Sequence, residues 1–491
     1  MTRLINTFFI LLMAMGLQVS AQDVLTLPRA IELARLQSVD AAVALNQLKT
    51  SYWEYRTYRA DLLPEVILKG TLPDYSRGFN LYQNEDGSYK FVRNNLLRMS
   101  GDLSIEQNIP LTGGKVAINS ALQYIDPLNT VGANRHFMSV PVGITLSQPI
   151  FGTNHLKWRG KIEPIKYKEA KAAYIEHVEQ LTLRTITYYF ELLLAKENLN
   201  IARQNKKNAD RIAEIAEARR EMGQISQNEL LQLKLSALKA ASTLTKEEAT
   251  LNAAMFRLRS FLSLSESEDI EAVVPEMMTY PVITYEDVLQ KAHENNPLAQ
   301  NIRRRQLEAD YEVAKAKGDR REINLFASFG YTGQDQAFRT AYQQLMDNQV
   351  VQVGLRIPLL DWGKRKGKVK VAESNRNVID SRLKQAQMDF NQNIFLLVQQ
   401  YNNQAEQLRI AREADEIARQ RYETSVESFM IGKINTLDLN DAQLSKDNAR
   451  AKYVSEMHLY WYYLYQLRSL TLFDYERGMD IDAEIDRLVR D

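Results

Sequence analysis

The chain contains no cysteine. This excludes disulfide frameworks, thiol catalysis, zinc–thiolate and iron–sulfur sites, and a lipid-modified N-terminal cysteine. Proline and glycine are sparse, 12 and 20 in 491 residues, while 45% of the residues are hydrophobic and 25% charged, so disordered and collagen-like classes are excluded. Neither sign of charge dominates: 62 Lys and Arg face 61 Asp and Glu, for a net charge of +1. A chain built to coat nucleic acid would be strongly basic, so no nucleic-acid partner is expected. Past the N-terminus, no stretch reaches the roughly 18 consecutive apolar residues of a membrane-spanning helix. Catalytic signatures are missing too. The five histidines are dispersed, with no HExxH or clustered carboxylates, and neither a GxxxxGK[S/T] phosphate loop nor a GxSxG elbow occurs. No enzyme activity, metal or cofactor is expected.

The first feature present is a targeting segment. Arg3 is the only charge before Asp23, Leu4 to Leu17 is nearly all apolar, and Val19-Ser20-Ala21 supplies small residues for cleavage. Residues 1–21 read as a signal peptide, with export to the periplasm, the outer membrane or the exterior.

The remainder is a tandem repeat. Leu199, Ile201, Ala202 and Arg203 match Leu408, Ile410, Ala411 and Arg412 at an offset of 209. The same offset carries Gly223, Ile225 and Leu230 onto Gly432, Ile434 and Leu439, and Pro149 onto Pro358. Near the start of each half the offset is 258, Thr26 matching Thr284. The difference locates an insertion between about residue 70 and Pro149. The expected organisation is a first repeat over 22–272, a second over 273–475, and a tail over 476–491. Each repeat reads helix, strands, very long helix, tight turn, helix. The first helix is expected from Leu27 to Leu62, with its counterpart from Thr284 to Lys317. The long helices, Leu156–Met222 and Lys364–Ile431, each read as about 100 Å long at 1.5 Å per residue. Leu181, Leu192, Ala195, Leu199 and Ala202, and again Phe390, Ile394, Leu397, Tyr401, Leu408 and Ala411, recur at helical spacing and predict coiled-coil seams.

Between helices the period changes to two. Val140, Val142, Ile144 and Leu146 alternate with small or polar residues, as do Val351, Val353, Leu355 and Ile357. Leu103–Ile109 and Val116–Tyr124 flank a Pro110–Gly114 turn and read as a hairpin. Alternating strands of about ten residues, rich in aromatics, have the length of membrane-barrel strands. Two strands per half leave two open edges, which lipid does not tolerate. Several copies are therefore expected to close one barrel together. The insertion's extra strand pair reads either as additional membrane strands or as a hairpin outside the bilayer.

These features together resemble the TolC family of outer-membrane channel proteins. The resemblance spans residues 22 to about 475. It rests on the order and spacing of the repeat, the strand exits Gln148–Gly152 and Ile357–Gly363, and the turns that start at Gly223 and Gly432. It implies a mainly α chain with a membrane β-barrel portion: a long coiled-coil α-helical barrel plus a β-barrel shared by a homotrimer, 12 strands in all. It also implies a cell outer membrane location with a periplasmic helical extension. The implied partners are a periplasmic adaptor (membrane fusion) protein and an inner-membrane transporter, and the implied cargo is drugs, other small molecules or proteins.

By the same resemblance, Gly223, Gln224, Glu229, Gly432 and Lys433 mark adaptor-docking turns. Asp438 and Asp441 would line the periplasmic gate, where threefold symmetry makes each a ring of carboxylates. Phe429 and Ile434 would form an apolar constriction in place of the family's polar ties. Glycines ending helices are also ordinary caps, and Glu229 and Asp438 also suit a helix N-terminal dipole. The basic run Lys364, Arg365, Lys366, Lys368 and Lys370, with Trp158 and Trp362 at the helix starts, reads as a membrane interface that meets outer-membrane lipid phosphates. Arg303-Arg304-Arg305 reads as a solvated helix face, and Tyr460–Tyr465 as packing near the barrel base or a neighbouring subunit. The alternative to a channel is a periplasmic or secreted coiled-coil structural or adhesive protein.

Overall fold

The computed structural model of the chain describes residues 23–83, 86–128, 135–265, 270–275, 282–320, 322–356, 360–431, 433–434, 436–481 and 488–489. The expected signal segment and half of the C-terminal tail lie outside them. The helices are α1 (Leu27–Gln37), α2 (Val39–Ala60), α3 (His155–Glu221), α4 (Gln227–Leu262), α5 (Tyr285–Asn295), α6 (Pro297–Gly318), a single turn α7 (Phe338–Ala341), α8 (Lys364–Met430) and α9 (Thr436–Thr471). The strands are β1 (Asp23–Leu25), β2 (Glu65–Gln83), β3 (Tyr89–Ile109), β4 (Gly114–Pro127), β5 (His136–Pro149), β6 (Ile270–Ala272), β7 (Glu322–Asp335), β8 (Leu345–Arg356), β9 (Phe473–Asp474) and β10 (Met479–Asp480).

The repeat is carried by matching elements. α3 and α8 are both 67 residues long, and α4 and α9 both 36, each pair related by the offset of 209. α1 matches α5 and α2 matches α6, at 11 and 22 residues, by the offset of 258. The single helices expected over 27–62 and 284–317 are each broken in two. Asn296 adopts extended backbone because it precedes Pro297, whose ring excludes the helical conformation one residue upstream. Ser38, at the matching break, is also extended, and its Oγ accepts from the Ala41 N–H to start α2.

The strand count also differs. The first half supplies four strands and the second half two, in one antiparallel sheet of order β2-β3-β4-β5-β7-β8. At the offset of 209, β4 and β5 match β7 and β8, while at 258 β2 matches β7, so the insertion is one β-hairpin's worth of strands within β2–β4. The four strands per chain that a 12-stranded trimer requires are exceeded by this hairpin.

The chain divides into two compact units that cut across the repeats. One takes the chain up to Leu48 with Lys171–Asn296 and Asp389–Asp491. Its core buries Leu181, Leu192, Ala195 and Leu199 of α3 and Ile394, Leu397, Tyr401 and Leu408 of α8, so both helical seams are where the heptad spacing predicts them. Tyr460, Trp461, Leu464 and Tyr465 are buried in this same core rather than left for a neighbouring subunit. β1 and β6 pair in parallel, and the buried Tyr189 hydroxyl donates to the carbonyls of Leu25 (2.9 Å) and Val273 (2.6 Å) beside them. Glu179, with no solvent exposure, is held by Arg35 (2.7 Å) and Arg468 (3.3 Å), and Arg468 also reaches Asp474 at 3.0 Å.

The second unit, Lys49–Ala170 with Pro297–Met388, holds the sheet and the helix ends that enter and leave it. Of the Arg303–Arg305 run, Arg303 is exposed, while Arg304 is only part-exposed and bridges Glu169 at 2.6 Å and Glu308 at 2.9 Å, which hold its guanidinium pKa above the ordinary value.

Candidate functional site

The sheet has two chemically distinct faces, set by strand periodicity. Val66, Ile105, Ile118, Ile144 and Phe329 are successive cross-strand partners over β2, β3, β4, β5 and β7, and all five are exposed. Leu68 and Leu103 pair in the neighbouring row, and Val351 and Val353 extend the same face onto β8. The opposite face carries Lys69, Asp102, Glu106, Lys115, Asn119 and Asn324 among smaller side chains, with Ile67, Phe326 and Val350 among its apolar residues. Lys115 of β4 pairs with Glu106 of β3, and Lys69 of β2 lies 3.7 Å from the same carboxylate. Exposed apolar side chains on one face and a charged network on the other are the pattern of a membrane-barrel wall with a polar lumen.

Aromatic residues collect at both ends of these strands. At the end away from the long helices, the rings of Tyr124 and Phe137 lie 5.2 Å apart, Phe137 and Phe338 5.8 Å, and Phe338 and Tyr342 5.3 Å. At the helix end, Trp158 packs 5.9 Å from Tyr311 with the Lys161 ammonium 5.0 Å above its ring. Trp362 is 90% exposed. Such girdles suit the two bilayer interfaces, where a ring meets both acyl chains and water.

The helix–strand junction is locked by side chains. Asn154 accepts from the Lys157 N–H at the start of α3, and its amide donates to the carbonyls of Pro110 and Leu111 in the β3–β4 turn. Gly113 in that turn has φ +79°, a backbone conformation that other residues adopt only with strain, and a side chain there would crowd Asn154. Asp361 caps α8, accepting from the N–H groups of Gly363 (3.0 Å) and Arg365 (3.1 Å), which hold its carboxyl below the usual range. The Arg365 guanidinium donates to the carbonyls of Asp319 and Arg320 just past α6, both at 2.8 Å. Arg365 therefore clamps a helix end, while Lys364, Lys366 and Lys368 project into solvent. Lys370 pairs with Glu373 at 2.9 Å.

In the other unit, α3 ends in a Schellman turn. Gly223 has φ +74°, its N–H reaches Arg220 O at 3.0 Å, and the Gln224 N–H reaches Arg219 O at 2.9 Å. Ser226 then opens α4 in a capping box: its hydroxyl accepts from the Glu229 N–H at 3.1 Å, and the Glu229 carboxylate accepts from the Ser226 N–H at 2.7 Å. Hydrogen bonding from Ser226, its backbone N–H first, holds the Glu229 carboxyl below its ordinary pKa. In the second repeat, the Lys433 N–H reaches Ser428 O at 2.9 Å, which is the matching outer bond of the same motif. Gly432 and the side chain of Phe429 lie outside the described residues. Ile434 is half-buried, and Asp438 is exposed in the first turn of α9. Asp441 is exposed but paired, its Oδ2 lying 2.7 Å from Arg421 Nη2 on α8. This arginine was missed from the sequence. Because 421 and 441 lie equally far from residue 431, antiparallel pairing about the turn was the signal that could have found it.

Two apolar stripes stay largely exposed among the described residues of this chain. Leu231, Leu235 and Leu238 of α4 are exposed at steps of four and three, and Ile410 and Ile417 of α8 at a step of seven. Each has the spacing of a coiled-coil seam. No described helix is long and apolar enough to cross a membrane, and no described cluster of side chains could hold a metal ion.

Comparison with known proteins agrees with this architecture. The chain is similar in structure to the CmeC outer membrane channel of Campylobacter jejuni, at 14% identity, 94% of this chain, 88% of that one and a TM-score of 0.67. The outer membrane protein VceC of Vibrio cholerae matches at 14% identity, with 93% of this chain and 97% of that one covered and a TM-score of 0.63. The open-state MtrE outer membrane channel of Neisseria gonorrhoeae matches at 13% identity, with 91% and 88% covered and a TM-score of 0.60. No curated protein matches the chain by sequence. The model of the outer membrane efflux protein family matches residues 127–263 and 288–462, more than half the chain and parts of both repeats. The chain thus belongs to the outer membrane efflux protein family, the TolC-type channels of the outer membrane.

Proposed function

We propose that three copies of this chain form the exit duct of a tripartite efflux or type I secretion system. The duct conducts drugs, other small molecules or proteins passively from a periplasmic adaptor and an inner-membrane pump to the exterior. The observation that carries this reading is the two-faced sheet with both edges open, since lipid requires every backbone group to be paired. The exposed stripes on α4 and α8 support the same association, because neighbouring helices would cover them. With no catalytic constellation required of a passive pore, the driving energy comes from the pump.

In this duct the Gly223–Glu229 and Lys433 turns are the adaptor-docking tips. Asp438 and Asp441 set ion preference at the gate, with Arg421 moderating the charge of Asp441 and Ile434 contributing apolar surface. Trp158, Trp362, Lys364 and Lys366 meet the inner leaflet of the outer membrane. The test is fractionation followed by mass determination. The protein should sediment with outer membrane, need detergent for extraction, and run as a trimer. A protein that stays soluble and monomeric in plain buffer would instead be the coiled-coil structural protein.

A further inference from the structure

We propose that the β2–β3 hairpin is part of the membrane wall, so that each chain contributes six strands and β2 of one copy pairs with β8 of the next. Three copies then close an eighteen-stranded barrel rather than one of twelve. The proposal rests on the trimeric outer-membrane reading above and concerns the wall's composition.

Three observations within the sheet carry it. The first is a blocked edge. In a wall of four strands per chain, β8 of one copy would meet β4 of the next. Here β4 is already paired with β3 along its whole length, from Gly114 opposite Ile109 to Pro127 opposite Leu96. Closing the smaller barrel would require stripping that ladder, leaving β3 with a row of unpaired backbone groups that lipid does not tolerate. The free edge is β2.

The second observation is continuity of both faces. Val66 and Ile105 of the hairpin stand in one cross-strand row with Ile118, Ile144 and Phe329. If that row meets acyl chains on β4, β5 and β7, it meets them on β2 and β3. On the other face, Lys69 and Glu106 join Lys115 in one charged network across β2, β3 and β4. Charges at that level belong on the lumen side.

The third observation is length and parity. The part of β2 level with β4 runs from Glu65 to Ser76, where Ser76 lies opposite Leu96 and Leu96 opposite Pro127. That covers the roughly ten residues a tilted membrane strand needs. Beyond Leu96, β3 pairs only with β2, so the hairpin tip overhangs the rim. Six antiparallel strands also leave β2 and β8 running in opposite directions, so head-to-tail closure is antiparallel throughout. Barrel diameter grows about linearly with strand number, making this wall about 1.5 times as wide as one of twelve.

The absence of cysteine makes the test direct. Single variants Leu68→Cys, Leu103→Cys, Ile144→Cys and Phe91→Cys of the full chain are reconstituted as oligomers in phosphatidylcholine vesicles. Each carries a fluorophore that acyl-chain-brominated lipid quenches, and a parallel sample meets a membrane-impermeant maleimide. Positions 68 and 103 should behave as position 144 does, quenched and unlabelled, while position 91 labels. Labelling without quenching at 68 and 103, with 144 still quenched, would place the hairpin outside the bilayer and overturn the proposal. Labelling at 144 as well would instead defeat the membrane reading. A second set pairs Leu68→Cys or Val66→Cys with Val351→Cys or Val353→Cys in one chain. Oxidation should give chain-to-chain disulfides from at least one pair and none from Ile118→Cys with Val351→Cys. The reverse pattern would establish β4 as the closing edge.

Discussion

Arg421 Nη2 lies 2.7 Å from Asp441 Oδ2, joining α8 to α9 across the turn between them. Both side chains are more than half exposed, so the pair contributes no more than about 1 kcal/mol to stability and acts mainly on local charge. Arg421→Ala should leave the fold intact and increase cation preference of the pore, because Asp441 then presents its full charge. Reversal potentials in asymmetric KCl measure this. An unchanged preference would remove Asp441 from the conducting path.

The buried Glu179 is the second target. It is held between Arg35 and Arg468, and Arg468 in turn reaches Asp474. Glu179→Ala removes the carboxylate and leaves the buried Arg468 with Asp474 as its remaining partner, at a cost of at most about 3–5 kcal/mol. Thermal unfolding of the solubilised protein should show a large fall in midpoint. A change no greater than that of an exposed Glu→Ala control would contradict the network's role.

His458 supplies a pH dependence. Its ring stacks on Phe190 at 5.4 Å, its Nε2 is buried without a hydrogen-bond partner among the described residues, and burial lowers its pKa, partly opposed by Glu191. The neutral ring is the folded form. Both states are neutral well above the ordinary histidine value of about 6.5, so no penalty applies there. As pH falls below that value, the unfolded chain takes up a proton first and stability declines. The unfolding midpoint of wild type should drop between pH 7 and 5 more than that of His458→Phe. Parallel curves would count against a neutral buried ring.

The capping box gives a local effect of opposite origin. Glu229 has a depressed pKa, so its contribution is present above the ordinary carboxyl range and is lost as pH falls through the lowered value. Ser226→Ala should cost about 1 kcal/mol at the α4 terminus and speed amide exchange over Glu229–Leu231 at neutral pH. Unchanged exchange would show that the turn is held by something else.

Much of this architecture was legible in the residues. Offsets of 209 and 258 aligned the helices, and the spacing of Leu181 to Ala202 and Ile394 to Ala411 located the seams that are buried. What escaped were features that depend on partners distant in sequence. The full extent of β2 was hidden because Gly70, Pro73 and Gly78 interrupt its alternation, and its faces became clear only from pairing with β3. The helix breaks at Ser38 and Asn296 needed attention to single residues that periodicity averages away. For the candidate site, Gly223 and its cap were readable locally. The clamp made by Arg365 and the Arg421–Asp441 pair were not, since each depends on which helix end or partner helix folding brings alongside.

The central claim, a cation-preferring outer-membrane channel, is tested most directly by single-channel recording. Purified protein in detergent is added to a planar bilayer beside an Asp438→Ala/Asp441→Ala variant. A channel gives discrete conductance steps in both, with cation preference in wild type that falls in the variant. Protein that is soluble in plain buffer, never inserts and gives no steps would contradict it.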